Sequence, residues 1–128
     1  MGHQTIILIV DDHPDFRMMM SVVLGQAGFL CLEACCAEEA LERLSSDMRP
    51  DLIVTDLHMR EMSGRDLLAW IRGTTYLDQV PVLLVSNDVR AEAIARDAGF
   101  DSFVDKPHLA RELPVKVRAL LSDRGLSN

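Results

Sequence analysis

The sequence predicts an α/β fold, a three-layer α/β/α sandwich around a five-stranded parallel sheet with strand order 2-1-3-4-5. Three observations carry this. Short apolar runs rich in β-branched residues, such as Ile6-Ile7-Leu8-Ile9-Val10 and Leu52-Ile53-Val54-Thr55, read as strands buried on both faces. Five such runs alternate with amphipathic stretches at βαβ spacing. Right-handed crossovers between parallel strands then leave few topologies, of which 2-1-3-4-5 is a common one. The 128 residues form one domain, 1–128, with its core over about 5–122.

The strands are predicted at residues 5–10, 30–34, 52–55, 82–85 and 102–104. The first helix starts near Pro14, whose fixed φ suits a first turn, with Asp12 or His13 as cap and Gly28 closing it. Its Met18, Met19, Met20, Val22, Val23 and Leu24 are expected to pack in the core. The second spans 37–44, presents Ala40, Leu41 and Leu44 on one face, and is followed by Pro50. The third, 64–74, buries Leu67, Leu68 and Ile71 and places Trp70 at its edge. The fourth, 89–98, is alanine-rich with Ile94 as the large aliphatic in its middle, so it is expected to grip the sheet weakly. The fifth covers 109–122. Pro114 falls inside it at a cost of about 3 kcal/mol, which predicts either a short turn before a helix starting at Pro114 or a kink.

A net charge of -7 argues against a nucleic-acid surface, since phosphate binding needs clustered Lys and Arg. The first apolar run ends at Asp11, too short for a signal-peptide core or a membrane span, so a cytoplasmic location is expected. Cys31, Cys35 and Cys36 match no usual zinc spacing and are expected to be reduced thiols.

Function is concentrated at the strand ends. Ligands of open α/β sheets bind beyond the carboxyl ends of the strands. Asp11 and Asp12 follow the first strand and Asp56 follows the third, so three carboxylates converge. Like charges about 4 Å apart repel by roughly 4 kcal/mol at an effective dielectric of 20, so the cluster calls for a cation, a bound proton or some other compensation, with a hard divalent metal as the obvious candidate. Ser86 after the fourth strand and Lys106 after the fifth fall on the same edge. Singly, Ser86 could cap a helix, Lys106 could be solvated and Phe103 could be core; it is their occurrence together that weighs against these readings.

Asp11-Asp12, the segment Thr55-Asp56-Leu57-His58-Met59 with Gly64, then Ser86, Phe103 and Lys106-Pro107 stand in the order and spacing of the receiver domain of two-component response regulators, which the chain resembles over residues 5–122. The resemblance implies a flavodoxin-like fold and a phosphorelay role, with Asp56 phosphorylated by a histidine kinase or phosphotransfer protein. It assigns Mg²⁺ to Asp11, Asp12, Asp56 and the backbone carbonyl of His58. Ser86 is the switch hydroxyl, Lys106 the phosphate-pairing cation and Phe103 the switch aromatic. A cis peptide at Lys106-Pro107 is the family expectation. The output, a further domain or a separate protein, would read the fourth-helix face.

Four positions depart from or modulate the pattern. Arg60 stands where the family usually has proline, and Asn87 where a small residue is usual. His58 and Asp88, two past Asp56 and Ser86, are expected with Asn87 to set the lifetime of the phosphorylated form. Ser102 replaces an acid that many transcription-factor receivers use in dimer salt bridges, so a monomer or weak dimer is expected. Arg111, Lys116 and Arg118 give the last helix a basic face, expected to be solvated.

Two other functions compete. A Mg²⁺-dependent aspartyl-phosphate hydrolase of the haloacid dehalogenase type shares the parallel sheet and aspartyl nucleophile. It has a DxD pattern where this chain has Asp56-Leu57-His58, and it has a cap domain for substrate. A phosphorylation-independent interaction module would keep the fold alone, but an acidic cluster without function is a needless instability. The sequence therefore favours a signalling switch over an enzyme.

Overall fold

The computed structural model describes residues 4–46 and 48–124; residues 1–3, 47 and the end of the C-terminal tail lie outside it. Five parallel strands, β1 (Ile6–Val10), β2 (Leu30–Ala34), β3 (Leu52–Asp56), β4 (Val82–Ser86) and β5 (Ser102–Asp105), form one sheet ordered β2-β1-β3-β4-β5. The helices are α1 (Pro14–Gln26), α2 (Ala37–Ser45), α3 (Gly64–Arg72), α4 (Ala91–Ala98) and α5 (Leu109–Asp123). Every strand prediction holds to within a residue at either end.

Alternation along the strands builds two cores, because successive side chains point to opposite faces. Ile7, Ile9, Leu52, Val54, Leu83 and Val85 meet α1 and α5 on one face. On the other, Leu8, Val10, Ile53, Val82 and Leu84 meet α2, α3 and α4. β1 is apolar throughout, and β3 and β4 up to their polar carboxyl ends, because they are covered on both sides. β2 lies at the edge, and its Leu30 is exposed.

The first helix corrects the expectation for its apolar run. Met20 and Leu24 are buried and Phe16 packs partly against the same core, whereas Met18, Met19 and Val22 are exposed. Residues 16, 20 and 24 form a stripe at helical spacing, and a helix offers the sheet one stripe only. Residues 18, 19 and 22 therefore face outward. Its cap is His13, without a side-chain hydrogen bond.

The third helix begins with a capping box, Ser63 accepting from the Asp66 N–H while the Asp66 carboxylate accepts from the Ser63 N–H. α4 starts at Ala91, two residues later than expected, and its buried residues are Ala91 and Ala95, with Ile94 half-buried. α4 thus meets the core through two alanines and a half-buried isoleucine. α5 starts at Leu109 and runs through Pro114. The ring leaves the exposed Ala110 carbonyl without its helical donor, and the buried stripe Leu109, Leu113, Val117 and Leu121 holds the helix on the sheet.

No cis peptide occurs among the described residues, so the expectation at Lys106-Pro107 is corrected. Extended Asp105 leads directly into a one-turn 3₁₀ segment, Lys106–His108, in whose first turn Pro107 fits. Lys116 is not a solvated charge: its ammonium donates to the Phe103 carbonyl. Among the described residues no helix is long and apolar enough to cross a membrane.

Candidate functional site

The parallel register brings the strand ends level: Val10 pairs with Thr55, Asp56 with Val85, and Ser86 with Asp105. The polar residues just past these ends share one edge of the sheet. Asp11 is fully buried, Asp56 is 3% exposed, Ser86 1% and Lys106 4%, which is unusual burial for charged side chains.

Asp11 is fixed by its own turn, its Oδ1 accepting the His13 N–H at 2.8 Å. Arg17, six residues on, donates to the Asp11 carbonyl and pairs with Glu33 on β2. Asp56 Oδ1 accepts the Leu57 N–H at 2.8 Å, and the Thr55 hydroxyl donates to the Asp56 carbonyl. Lys106 Nζ stands 3.2 Å from Asp56 Oδ2 and 3.3 Å from Asp11 Oδ2, with its charge 4.3 Å above the Phe16 ring. The lysine is thus held between two acids and an aromatic face.

Gly64 explains its place in the motif. A Cβ there would lie 2.2 Å from the Asp56 carbonyl oxygen, and the Gly64 N–H donates to the Leu57 carbonyl. Only a residue without a side chain lets the loop after β3 return so close to the Asp56 backbone.

Lys106 does not neutralise the acids. Burial, followed by the charge of Asp11, raises the Asp56 pKa above the ordinary carboxylate range; Lys106 and the Leu57 N–H oppose the shift without cancelling it. Asp11 Oδ2 and Asp12 Oδ1 are buried and make no hydrogen bond. Ligand atoms of Asp11, Asp12, His13 and Asp56 lie within 4.8 Å of one another. Buried hard oxygens without a hydrogen bond, in an acidic cluster that one lysine serves, suit a divalent cation such as Mg²⁺.

Ser86 does not cap α4. Its Oγ accepts the Asp88 N–H at 3.1 Å. Asp88 in turn ties two loops together, its carboxylate contacting His58 Nε2 at 2.7 Å and accepting the Arg90 N–H at 2.8 Å. The Arg90 N–H and then the His58 contact hold the Asp88 carboxyl well below the usual range. Phe103, half-buried on β5, lines a groove of about 590 Å³ with Asn87, Asp88, Val89 and Glu92. Arg60 is exposed, beside Glu61 at φ 65°.

Sequence reasoning did not find Phe16, Arg17 or the role of Asp101. Phe16 and Arg17 follow Asp11 by one helical turn and a half, which is the signal for side chains that reach back over a strand end. Asp101 binds inward, to Arg72 at 2.6 Å and to the Val82 N–H. The three cysteines are free thiols; burial pushes Cys31 up to about 11, and a hydrogen bond with Glu39 raises Cys35.

The response regulator receiver domain model matches residues 7–118. The phosphate regulon transcriptional regulatory protein PhoB of Pseudomonas aeruginosa is 31% identical over 123 residues, 93% of this chain and 52% of its own length. Response regulator MprA of Mycobacterium tuberculosis is 37% identical over 117 residues, 90% of this chain and 50% of its own. The chain therefore spans about half the length of these relatives. Among solved structures, the signal receiver domain of a histidine kinase from Syntrophus aciditrophicus superimposes with a TM-score of 0.84 at 34% identity, covering 93% of this chain and 91% of that one. The Thermotoga maritima response regulator TrrA, solved with Mg²⁺-BeF, gives 0.83 at 28% identity, covering 92% of this chain and 100% of that one. With its sheet order, its buried acids and Lys106 at one edge, this chain belongs to the response regulator receiver domain family.

Proposed function

We propose that the chain is a Mg²⁺-dependent phosphoacceptor switch in which Asp56 takes a phosphoryl group from a histidine kinase or phosphotransfer protein. The observation that carries this is the state of Asp56: a buried carboxylate with one oxygen on the Leu57 N–H and the other on Lys106, beside Asp11 and Asp12, each with a buried oxygen that makes no hydrogen bond. A carboxylate oxygen of Asp56 attacks phosphorus, the P–N bond to a phosphohistidine breaks, and the imidazole leaves with the electron pair. Lys106 pairs with the phosphoryl oxygens as they arrive, already positioned by Asp11 and the Phe16 ring. Asp11, Asp12, Asp56 and the His58 carbonyl would hold Mg²⁺, which when bound neutralises phosphoryl charge. Lys106 here is a charge, not a proton donor.

Ser86 supplies the difference between the two states. Its oxygen accepts from Asp88 before phosphorylation, and its hydroxyl proton can be given to a phosphoryl oxygen only afterwards. Phe103 and the lightly anchored α4 follow, altering the face that an output domain or protein reads. The His58–Asp88 contact with neighbouring Asn87 sets how readily water reaches the acyl phosphate.

Incubation with Mg²⁺ and acetyl phosphate tests the proposal. A native-mass increase of one phosphoryl group, absent from Asp56→Asn, is expected. No increase in the wild type, or an equal one in the variant, would refute it.

A further inference from the structure

We propose that His13 is a nitrogen ligand of the acidic site, so that the site takes a borderline transition ion such as Co²⁺ or Mn²⁺ with imidazole as well as carboxylate coordination. The inference rests on the metal site proposed above and adds a donor to it. His13 Nδ1 lies 3.2 Å from Asp12 Oδ1, 3.3 Å from Asp11 Oδ1 and 3.8 Å from Asp56 Oδ2. In an octahedron with bonds of about 2.1 Å, neighbouring donors stand about 3.0 Å apart and opposite donors about 4.2 Å apart. The nitrogen therefore stands close to adjacent-donor spacing from Asp11 and Asp12, and between the adjacent and opposite spacings from Asp56.

The ring is also placed for that role. The His13 N–H is fixed on Asp11 Oδ1, and the imidazole meets Phe16 edge-on at 6.2 Å between centroids. His13 is the N-cap residue of α1, yet its side chain makes no capping hydrogen bond; its Nδ1 faces the acids instead. Asp11 Oδ1 accepts the His13 N–H and lies 3.3 Å from Nδ1, while the buried Asp11 Oδ2 faces Lys106. Metal binding uses the tautomer in which the proton resides on Nε2 and the Nδ1 lone pair faces the ion.

The chemistry that follows is a change in selectivity. Carboxylates and waters suit Mg²⁺, whereas an imidazole donor adds affinity for Mn²⁺ and Co²⁺ along the ordinary transition-metal series. His13→Asn removes the imidazole and places a strong helix cap at the same position, so the fold is retained.

Two measurements test this: calorimetric titration of wild type and His13→Asn with Mg²⁺ and with Co²⁺, and pulsed EPR of the Mn²⁺-loaded proteins. The expected result is an imidazole nitrogen coupling to Mn²⁺ in the wild type that is absent from His13→Asn. The Co²⁺-to-Mg²⁺ affinity ratio is expected to fall at least about tenfold in the variant, the low end of what loss of even an outer partner of a metal site costs. Ion binding with no nitrogen coupling and an unchanged ratio would overturn the role of His13 and leave the Mg²⁺ site standing. Failure of the wild type to bind any of these ions would overturn both.

Discussion

Asp56→Asn is expected to stabilise the metal-free protein. Ligand atoms of Asp11, Asp12 and Asp56 lie within 4.8 Å of one another, and Lys106 reaches Asp56 at 3.2 Å. At an effective dielectric of 20, each neighbouring carboxylate repels the Asp56 charge by about 3.5 kcal/mol, while Lys106 attracts it by about 5 kcal/mol. The balance stands against the charge by about 2 kcal/mol, and burial adds to it. Asparagine keeps the shape, still accepts the Leu57 N–H, and leaves Lys106 to Asp11. A gain of about 2 kcal/mol raises Tm by roughly 8 °C in a domain of this size.

The pH dependence identifies the cause. Because burial and Asp11 raise its pKa, folded Asp56 holds its proton more tightly than the unfolded chain does. Its stabilising contribution is complete below the unfolded carboxyl pKa of about 3.9 and is lost as pH rises through the folded value. The advantage of Asp56→Asn therefore vanishes below about pH 4, grows above it and then levels off. Urea unfolding of both proteins in chelator, from acid to about pH 8, measures the difference. A variant less stable at pH 8, or an advantage that does not vary with pH, would show that Lys106 outweighs the acids.

Mg²⁺ at about a hundred times its Kd is expected to stabilise the wild type by about 2.7 kcal/mol in thermal unfolding, and to do little for Asp12→Ala. Gly64→Ala forces a Cβ onto the Asp56 carbonyl and should cost about 3 kcal/mol in denaturant unfolding, with slowed acetyl-phosphate labelling as the loop shifts. Replacing His58 and Asp88 together with alanine unties the two loops and is expected to change the dephosphorylation half-life severalfold; an unchanged half-life would remove both from the control of phosphate lifetime.

The legible part of the chain was the part written in local pattern. The apolar runs of β1, β3 and β4 are complete because both faces are covered, so they could be found and placed to within a residue. Asp11, Asp56, Ser86 and Lys106 follow those runs directly, which made their convergence readable before any distance was known. Orientation about a helix axis was less legible: Met18 to Leu24 is apolar all round, and only contact with the sheet selects Met20 and Leu24 as its inner stripe. The effect of Pro114 was also open: the bounds 109–122 hold to within a residue, but only the packing of Leu113 and Val117 carries α5 through the proline against local propensity. Contacts between separate elements, such as Lys106 over Phe16 or His58 with Asp88, depend on how the elements pack and are not written in local pattern.

These cross-element contacts explain how the chain tolerates its own site. The strands beneath the acids are almost wholly apolar, and that burial can offset a few kcal/mol of charge repulsion above it. Lys106 is then placed where it matters most, between Asp11 and Asp56, leaving the oxygens beside Asp12 to a cation from solution. A second buried lysine would make the resting protein more stable and the acids less hungry for Mg²⁺ or a phosphoryl group's partner ion. The deficit of positive charge is thus the property that couples stability to ligand: each cation bound at the edge of the sheet relieves the repulsion that the fold sustains without it. For the same reason a charge-neutral Asp56 variant should gain least from Mg²⁺, even though it unfolds last.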